Sequence, residues 1–533
     1  MKRVFTLLSL MCCFTAFSQQ YNNEWIDFTK VHYKFKVGQT GLYRIPQTTL
    51  NAAGLNAVPA EQFKLVRNGV EVAIYTTSAT GPLAAGGYIE FWAEANDGKA
   101  DRALYRNPNY QHSDKISLQT DTSVYFLLAA PGAHLRITDR ANNVSSSTLG
   151  TEPFFMHTAG RYFRDQINPG FARNAGEYVY SSSYDQGEYW SSREIYPFSP
   201  LSDALSNLAV YTPASVLCKM KFGASGNAQN LRNISVKLNN SVLFNQEVSI
   251  FEDVNDTLDF PVSLISSGNA AADFTITPTA GGTVNPTDRI VVSYYELIYP
   301  RKFDFGASKN FSFVLPPKAA GYLLSITNFD KGSVPPVLYD LTYRERYTAV
   351  YSAIGDSVKF VLPGGTDERN LVLVNEEESN ITQVTSLNPK TFLNFTNAAN
   401  QGDYIIISNP ILYNNTDGTN PVNDYRNYRR SVNGGSYNAI IIDVSELVDQ
   451  FAFGIKKHPS SVKNFLAYAR SRFSTLPKYV FMIGRGMDYV SYRYNQSNPL
   501  IETLNMIPTF GSPASDNFLG SLNSVSQITL TPI

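Results

Sequence analysis

The sequence predicts a multi-domain chain: two β-rich, sandwich-like domains followed by an α/β domain on a parallel sheet. Three observations carry this. Upstream of about residue 350, short runs alternate apolar and polar residues at period two and are punctuated by turn signals. Between Gly402 and Asp488 lie three short runs that are apolar on both faces: Tyr404–Ser408, Ala439–Val444 and Tyr479–Gly484. Such runs read as strands buried between two helical layers. The segments separating them change to helical periodicity, and strand–helix–strand–helix–strand order implies parallel pairing through right-handed crossovers.

The 533-residue chain opens with a predicted signal peptide, residues 1–18. Lys2-Arg3 form its basic region and Val4–Phe14 its apolar core, and Ala16-Phe17-Ser18 gives a small-residue cleavage pattern. The apolar run is too short to span a bilayer. Leu10-Met11, ahead of Cys12-Cys13, are too bulky for lipoprotein processing, and no later stretch reads as a membrane helix. Removal of the leader leaves one cysteine, Cys218, so the exported chain is expected to have no intrachain disulfide and to depend on core burial. A net charge of −1 argues against a nucleic-acid partner, which needs a basic field. The 33 Tyr and 33 Phe against 3 Trp suit β-rich extracellular domains.

Residues 19–150 read as the amino-terminal β domain. Tyr33, Phe35 and Val37 alternate with Lys34 and Lys36, and Phe63–Ile74 is a hairpin turning at Asn68-Gly69. Residues 151–350 read as a second β-rich domain, with alternating runs at Val216–Phe222 and Ile234–Leu238. Gly187-Glu188-Tyr189-Trp190 is an aromatic cluster suited to a core. Residues 351–400 read as connecting strands, Val358–Leu362 and Asn370–Val374, with Asp367-Glu368-Arg369 as a solvated charged turn. Residues 401–533 form the α/β domain. Asn420-Pro421 is a helix start, followed by a face of Val422, Tyr425 and Tyr428. Val462, Phe465, Leu466, Ala469 and Phe473 mark a second helix. Arg426, Arg429 and Arg430 read as a solvated helix face. Gly484-Arg485-Gly486 lacks the ending of a phosphate loop.

In open parallel sheets the chemistry sits beyond the carboxyl ends of the strands. Here those ends bring Ser408-Asn409, Asp443 and Gly484–Asp488. Asp443 and Asp488 are the supporting strand-end candidates; Asp443 reads also as a plain helix entry, and Asp488 as a loop carboxylate capping backbone amides. Cys218, in an alternating strand, reads as a small buried hydrophobe. His32, His112, His134, His157 and His458 are isolated in sequence and form no metal-ligand pair, and His458 before Pro459 reads as an exposed loop residue.

The segments "DYIIISNP", "IIDVSELVDQFAFG", "HPSSVKNFLAYAR", "LPKYVFMIGRGMDY" and "IPTFGSPASDNFLG", in this order and spacing, resemble the first half of a gingipain-like cysteine peptidase domain. The subgroup they most resemble is the PorU-like sortases of the type IX secretion system. "GLYRI", "RNGVEVAIY" and "RIVVSYYEL" resemble the β regions that precede that domain. The resemblance implies a caspase/gingipain-like sheet and a cysteine nucleophile with a histidine base, which the family carries in the second half of the domain. Neither catalytic segment occurs up to Ile533, so the catalytic assignment is none and the chain is expected to be inactive alone. The sequence is expected to be the amino-terminal portion of a longer reading frame. By resemblance, Asp516 in "SDNFLG" lines the pocket for a basic substrate residue; otherwise it caps a loop. Gingipains carry an acid directly after the glycine at which this chain has Arg485, so a strict triad is not implied.

The resemblance implies an exported endopeptidase at the outer membrane surface or outside the cell. Its partners would be protein cargo with a carboxy-terminal sorting signal and outer-membrane type IX secretion components. No cofactor is expected beyond calcium, which the resemblance allows without naming ligands. The competing reading is a non-catalytic surface-binding, adhesin-type protein with a relic peptidase fold.

Overall fold

The computed structural model describes residues 20–170, 172–174, 177–179, 182–212, 216–351 and 357–521. The expected signal peptide and the stretch Ile528–Ile533 lie outside the described residues.

Among the described residues the strand-rich part contains three two-sheet layers and two short strand pairs, 166–169 with 188–191 and 172–174 with 177–179. In the first layer, a five-stranded sheet orders 388–390, 32–37, 123–129, 63–67 and 70–72, and a four-stranded sheet orders 381–383, 41–46, 88–93 and 75–76. Phe35, Val37, Ile45, Phe63, Leu65, Ile89, Phe91 and Leu127 fill the space between them. The alternation read in sequence is the inward set of these strands. Asn68 (φ 49°) and Gly69 (φ 76°) both take the left-handed conformation that a two-residue hairpin requires.

The second layer pairs the sheet 201–205, 270–277, 231–238 and 241–249 with the sheet 253–261, 217–226, 290–301 and 155–162. Cys218, Met220, Phe222, Phe274 and Tyr295 lie in its core. The third pairs 304–308, 322–329, 358–362 and 350–351 with 310–315, 369–374, 337–340, 345–348 and 138–140. The range 151–350 thus holds one complete sandwich and most of another. The 351–400 segment is shared out: its strands complete the third layer and then return to edge the first, with His32 opposite Lys390. Arg369, expected in a solvated turn, is instead buried and ion-paired with buried Asp340. A guanidinium in a core is tolerated only with such a partner.

The α/β domain follows its predicted order. Strands β1 (Tyr404–Ser408), β2 (Ala439–Asp443) and β3 (Tyr479–Ile483) are all parallel, with β1 in the centre. Helix α1 (Pro421–Arg430) connects β1 to β2 on one face. Helices α2 (Val444–Phe451) and α3 (Ser460–Arg472) connect β2 to β3 across the other. The first right-handed crossover runs from the centre to one edge and the second returns across the sheet to the other, and crossovers in opposite directions place their helices on opposite faces. Ile405 and Ile407 therefore face Phe451, Phe465 and Leu466, while Tyr404 and Ile406 face Val422 and Tyr425. Asn420 accepts from Asn423 N at 2.9 Å and Pro421 opens the helix, as the sequence predicts. The arginine face of α1 is not simply solvated. Arg429 lies over the rings of Tyr404 and Tyr437, at 4.5 and 4.8 Å, and Arg430 donates to Ala439 O. β2 and β3 are the outer strands among the described residues, and Tyr479 and Phe481 of β3 are half-exposed.

Short segments after β3 add helices α4 (Tyr489–Asn495), α5 (Pro499–Leu504) and α6 (Asp516–Gly520). The α/β domain shares its core with the β region: Tyr21, Leu104, Tyr105, Leu118, Ile167 and Tyr184 pack with Phe465, Tyr489 and Phe510. Lys34 reaches Asp449 at 2.5 Å, and Lys390 pairs with Glu446. None of the described helices is long and apolar enough to cross a membrane.

Candidate active site at the strand carboxyl ends

Parallel register aligns Ser408 with Asp443 on one side and with Ile483 on the other, so all three strands end at one rim. Ser408 Oγ donates to Ile483 O at 2.9 Å and closes the central strand against β3. Each strand-end polar residue then begins the next element. Asn409 accepts from Ile411 N and donates through Nδ2 to Met506 O. Asp443 is the N-cap of α2, accepting from Ser445 N at 2.8 Å. Asp488 is the N-cap of α4, accepting from Ser491 N at 3.0 Å. A cap carboxylate satisfies an orphan helix amide and meets the positive end of the helix dipole.

The loop after β3 is tied to residues 505–509. Arg485 O accepts from Met506 N (2.8 Å) and Ile507 N (3.1 Å), Asn505 Oδ1 accepts from Met487 N (3.1 Å), and Thr509 Oγ1 donates to Met487 O (2.7 Å). A Cβ at Gly486 would come within 2.2 Å of Thr509 Cγ2. The glycine thus serves close backbone approach, consistent with the absence of phosphate-loop character. The Arg485 side chain is exposed at this rim. Tyr413 is held up to about 12 by burial first and by the Asp443 charge second.

Asp516 is exposed in the first turn of α6, which packs on α3. Lys463 of α3 donates to Phe518 O and Ser521 O, both at 3.1 Å, and its burial lowers its pKa. Of the three predicted carboxylates, Asp443 lies at a strand carboxyl end and Asp488 in the loop that follows one, while Asp516 sits on a later helix packed on α3. Asp443 and Asp488 are each bound to their own helix start, and Asp516 faces solvent. Sequence reasoning missed Asn505 and Lys463, whose partners are backbone atoms far along the chain. Asn409 alone carried a local signal, the Asn-Pro pair that starts a turn.

Cys218 is fully buried in the second sandwich, and burial pushes its thiol up to about 11, leaving it the small hydrophobe that its strand pattern predicts. His458 corrects its expectation: it is buried, not exposed. Its Nδ1 accepts from Ser460 N, and its Nε2 lies 3.2 Å from Asp101 Oδ1, an electrostatic contact outside hydrogen-bond geometry. Asp101 comes from the first β region, so nothing near His458 in sequence reveals the pairing. His112 is likewise placed between Ser293 and Asp253, at 2.9 and 3.0 Å. Among the described residues no three His, Cys, Asp or Glu side chains converge to hold a metal.

Residues 397–531 match the family model described as Peptidase family C25. No curated protein matches the chain. Among solved structures, dimeric latent PorU from Porphyromonas gingivalis matches with 14% identity and a TM-score of 0.56, covering 95% of this chain and 47% of that one. The chain therefore spans about half the length of that relative. A CBM36-1 domain of a multidomain xylanase from the hindgut metagenome of Trinervitermes trinervoides matches at 10% identity, covering 26% of this chain and 96% of its own, with a TM-score of 0.16. A family 35 carbohydrate binding module from Clostridium thermocellum matches at 9% identity, covering 28% and 99%, with a TM-score of 0.15. The parallel-sheet segment thus matches Peptidase family C25, and the β layers and sheet together have the fold of PorU over 95% of this chain.

Proposed function

We propose that this chain is the amino-terminal part of an exported gingipain-like cysteine endopeptidase. Its role would be that of a type IX secretion sortase, removing carboxy-terminal sorting signals from cargo at the cell surface. The observation that carries the reading is the parallel sheet 404–483, whose polar strand ends lie inside the segment matched to Peptidase family C25. In such an enzyme the strand ends and their loops would form the amino-terminal wall of the cleft. Asp516, exposed on a helix held by Lys463, would then receive a basic substrate side chain.

The chain by itself is expected to be inactive. A thiol needs an adjacent imidazole to become a nucleophile near neutral pH. Cys218 is sealed in a sandwich core among apolar side chains.

The test is made in the source organism. The mass of the native protein in the outer-surface fraction is compared with the 59.2 kDa of this sequence, and cargo proteins are followed after deletion of the gene. A larger mass, with cargo retaining its terminal signals in the deletion strain, is the expected result. Correctly trimmed cargo in that strain would sink the sortase reading and favour a surface-binding protein with a relic fold.

A further inference from the structure

Glu188 is completely buried, yet it belongs to neither the strand ends nor a salt bridge. Its Oε1 accepts from Tyr489 Oη at 2.6 Å, and its Oε2 is within 3.1 Å of Asp185 N. Tyr105 Oη donates to its main-chain oxygen at 2.6 Å. Tyr489 is the first residue of α4 and directly follows Asp488, the N-cap at the strand rim. The contact therefore joins the strand 188–191 of the β region to the loop after β3.

The neighbouring contacts serve the same junction. Tyr184 stacks on Tyr489 with centroids 5.4 Å apart and meets Phe510 edge-on. A Cβ at Gly511 would come within 1.8 Å of Ser182 O. Ile167 N donates to Tyr494 Oη at 2.7 Å, and Arg493 lies over Trp190 and reaches Asp121 at 3.1 Å.

We propose that the buried Glu188–Tyr489 contact is a proton-sensitive pin by which the β region positions the loop after β3, whatever reaction that rim supports. The groups facing Glu188 are Tyr489 from α4, Tyr105 from the 99–105 segment, and Tyr184 and Asp185 from its own segment. Asp185 is occupied by Arg106 at 3.0 Å. Among the described residues no cation pairs with Glu188 itself. Burial without a cation disfavours the carboxylate, and the Glu188 carboxyl is held well above its ordinary value, chiefly by desolvation. An acid whose folded pKa is raised supports the fold most below its unfolded value, and that support is lost as pH rises toward the folded one. Ionisation would leave a bare carboxylate in the junction, opposed only by the tyrosine hydroxyl and one amide.

The test compares the full chain with Glu188→Gln and Tyr489→Phe. Glutamine keeps an acceptor for Tyr489 and does not ionise; phenylalanine keeps the ring packing and removes the hydroxyl. Thermal midpoints are read from pH 5 to 9. Tryptic cleavage at Arg485 and Arg493 is read from pH 7 to 9 and normalised to cleavage at exposed Lys309 in the third sandwich, which cancels the pH response of the protease. The wild-type midpoint should fall relative to Glu188→Gln as pH rises, and its cleavage at the two arginines should rise several-fold. Tyr489→Phe should be cut faster than wild type already at pH 7. Identical pH profiles for wild type and Glu188→Gln would overturn the proposal, as would faster cutting of Glu188→Gln at every pH. Should Glu188→Gln not fold, a flat normalised profile in the wild type would by itself refute the pin.

Discussion

The strand-rim carboxylate Asp488 has a structural duty that can be separated from any chemical one. Its Oδ1 accepts from Ser491 N at 3.0 Å and caps α4. Asparagine caps as well as aspartate, whereas alanine removes the acceptor at a cost of about 1 kcal/mol. The site is partly buried, so water replaces the lost bond poorly and the cost should sit in the upper half of the usual range, roughly 1–2 kcal/mol. In a chain this long the global midpoint moves by only about 2–4 °C per kcal/mol or less, so a local readout is preferable. Tryptic cleavage at Arg493, inside α4, reports the helix directly. Asp488→Ala should be cut roughly 5- to 30-fold faster than wild type, the ratio that 1–2 kcal/mol implies for local opening. Asp488→Asn should match wild type. Equal cleavage of the alanine and asparagine variants would refute the cap assignment. In a longer, active protein, loss of activity with Asp488→Asn at unchanged cleavage would assign the charge itself to the rim's chemistry.

Three further outcomes are expected. Gly486→Ala would drive its Cβ into Thr509 Cγ2 and destabilise the loop by about 1–3 kcal/mol. Thr509→Ser removes that methyl and keeps the hydroxyl, so the double variant should recover most of the loss in a denaturation series; non-recovery would place the strain elsewhere. Cys218, with its thiol at about 11 and no exposure, should resist alkylation in the native protein and react fully in denaturant. Rapid native labelling would contradict its packing. His157, packed among Phe155, Tyr299 and Phe311, is lowered from 6.5 to about 4 by burial first and by Arg301 second. A base that is neutral in the fold gives up stability as pH falls from about 6.5 toward 4, because the unfolded chain takes up the proton first. His157→Phe should flatten that part of the stability curve, and an unchanged slope between wild type and variant would rule the histidine out as its source.

The sequence alone determined the local features. Runs apolar on both faces became the three parallel strands, and Asn420-Pro421 became a capped helix start. Asn68-Gly69 became a hairpin turn, and Cys218 became core. Each is set by periodicity or by a conformational preference within a few residues. The strand-rim candidates were legible for the same reason, since a rim is wherever a buried strand stops. Tertiary structure decided what depends on distant partners. His458 is buried at the junction beside Asp101 of the first β region, and Arg369 is buried because Asp340 faces it from a neighbouring strand. Arg429 leaves solvent for two tyrosine rings, and the strands near 381–390 turn back to edge the first sandwich. Burial of a charged or titratable side chain is affordable only beside a partner, and sequence order carries no record of which residue on another element supplies it.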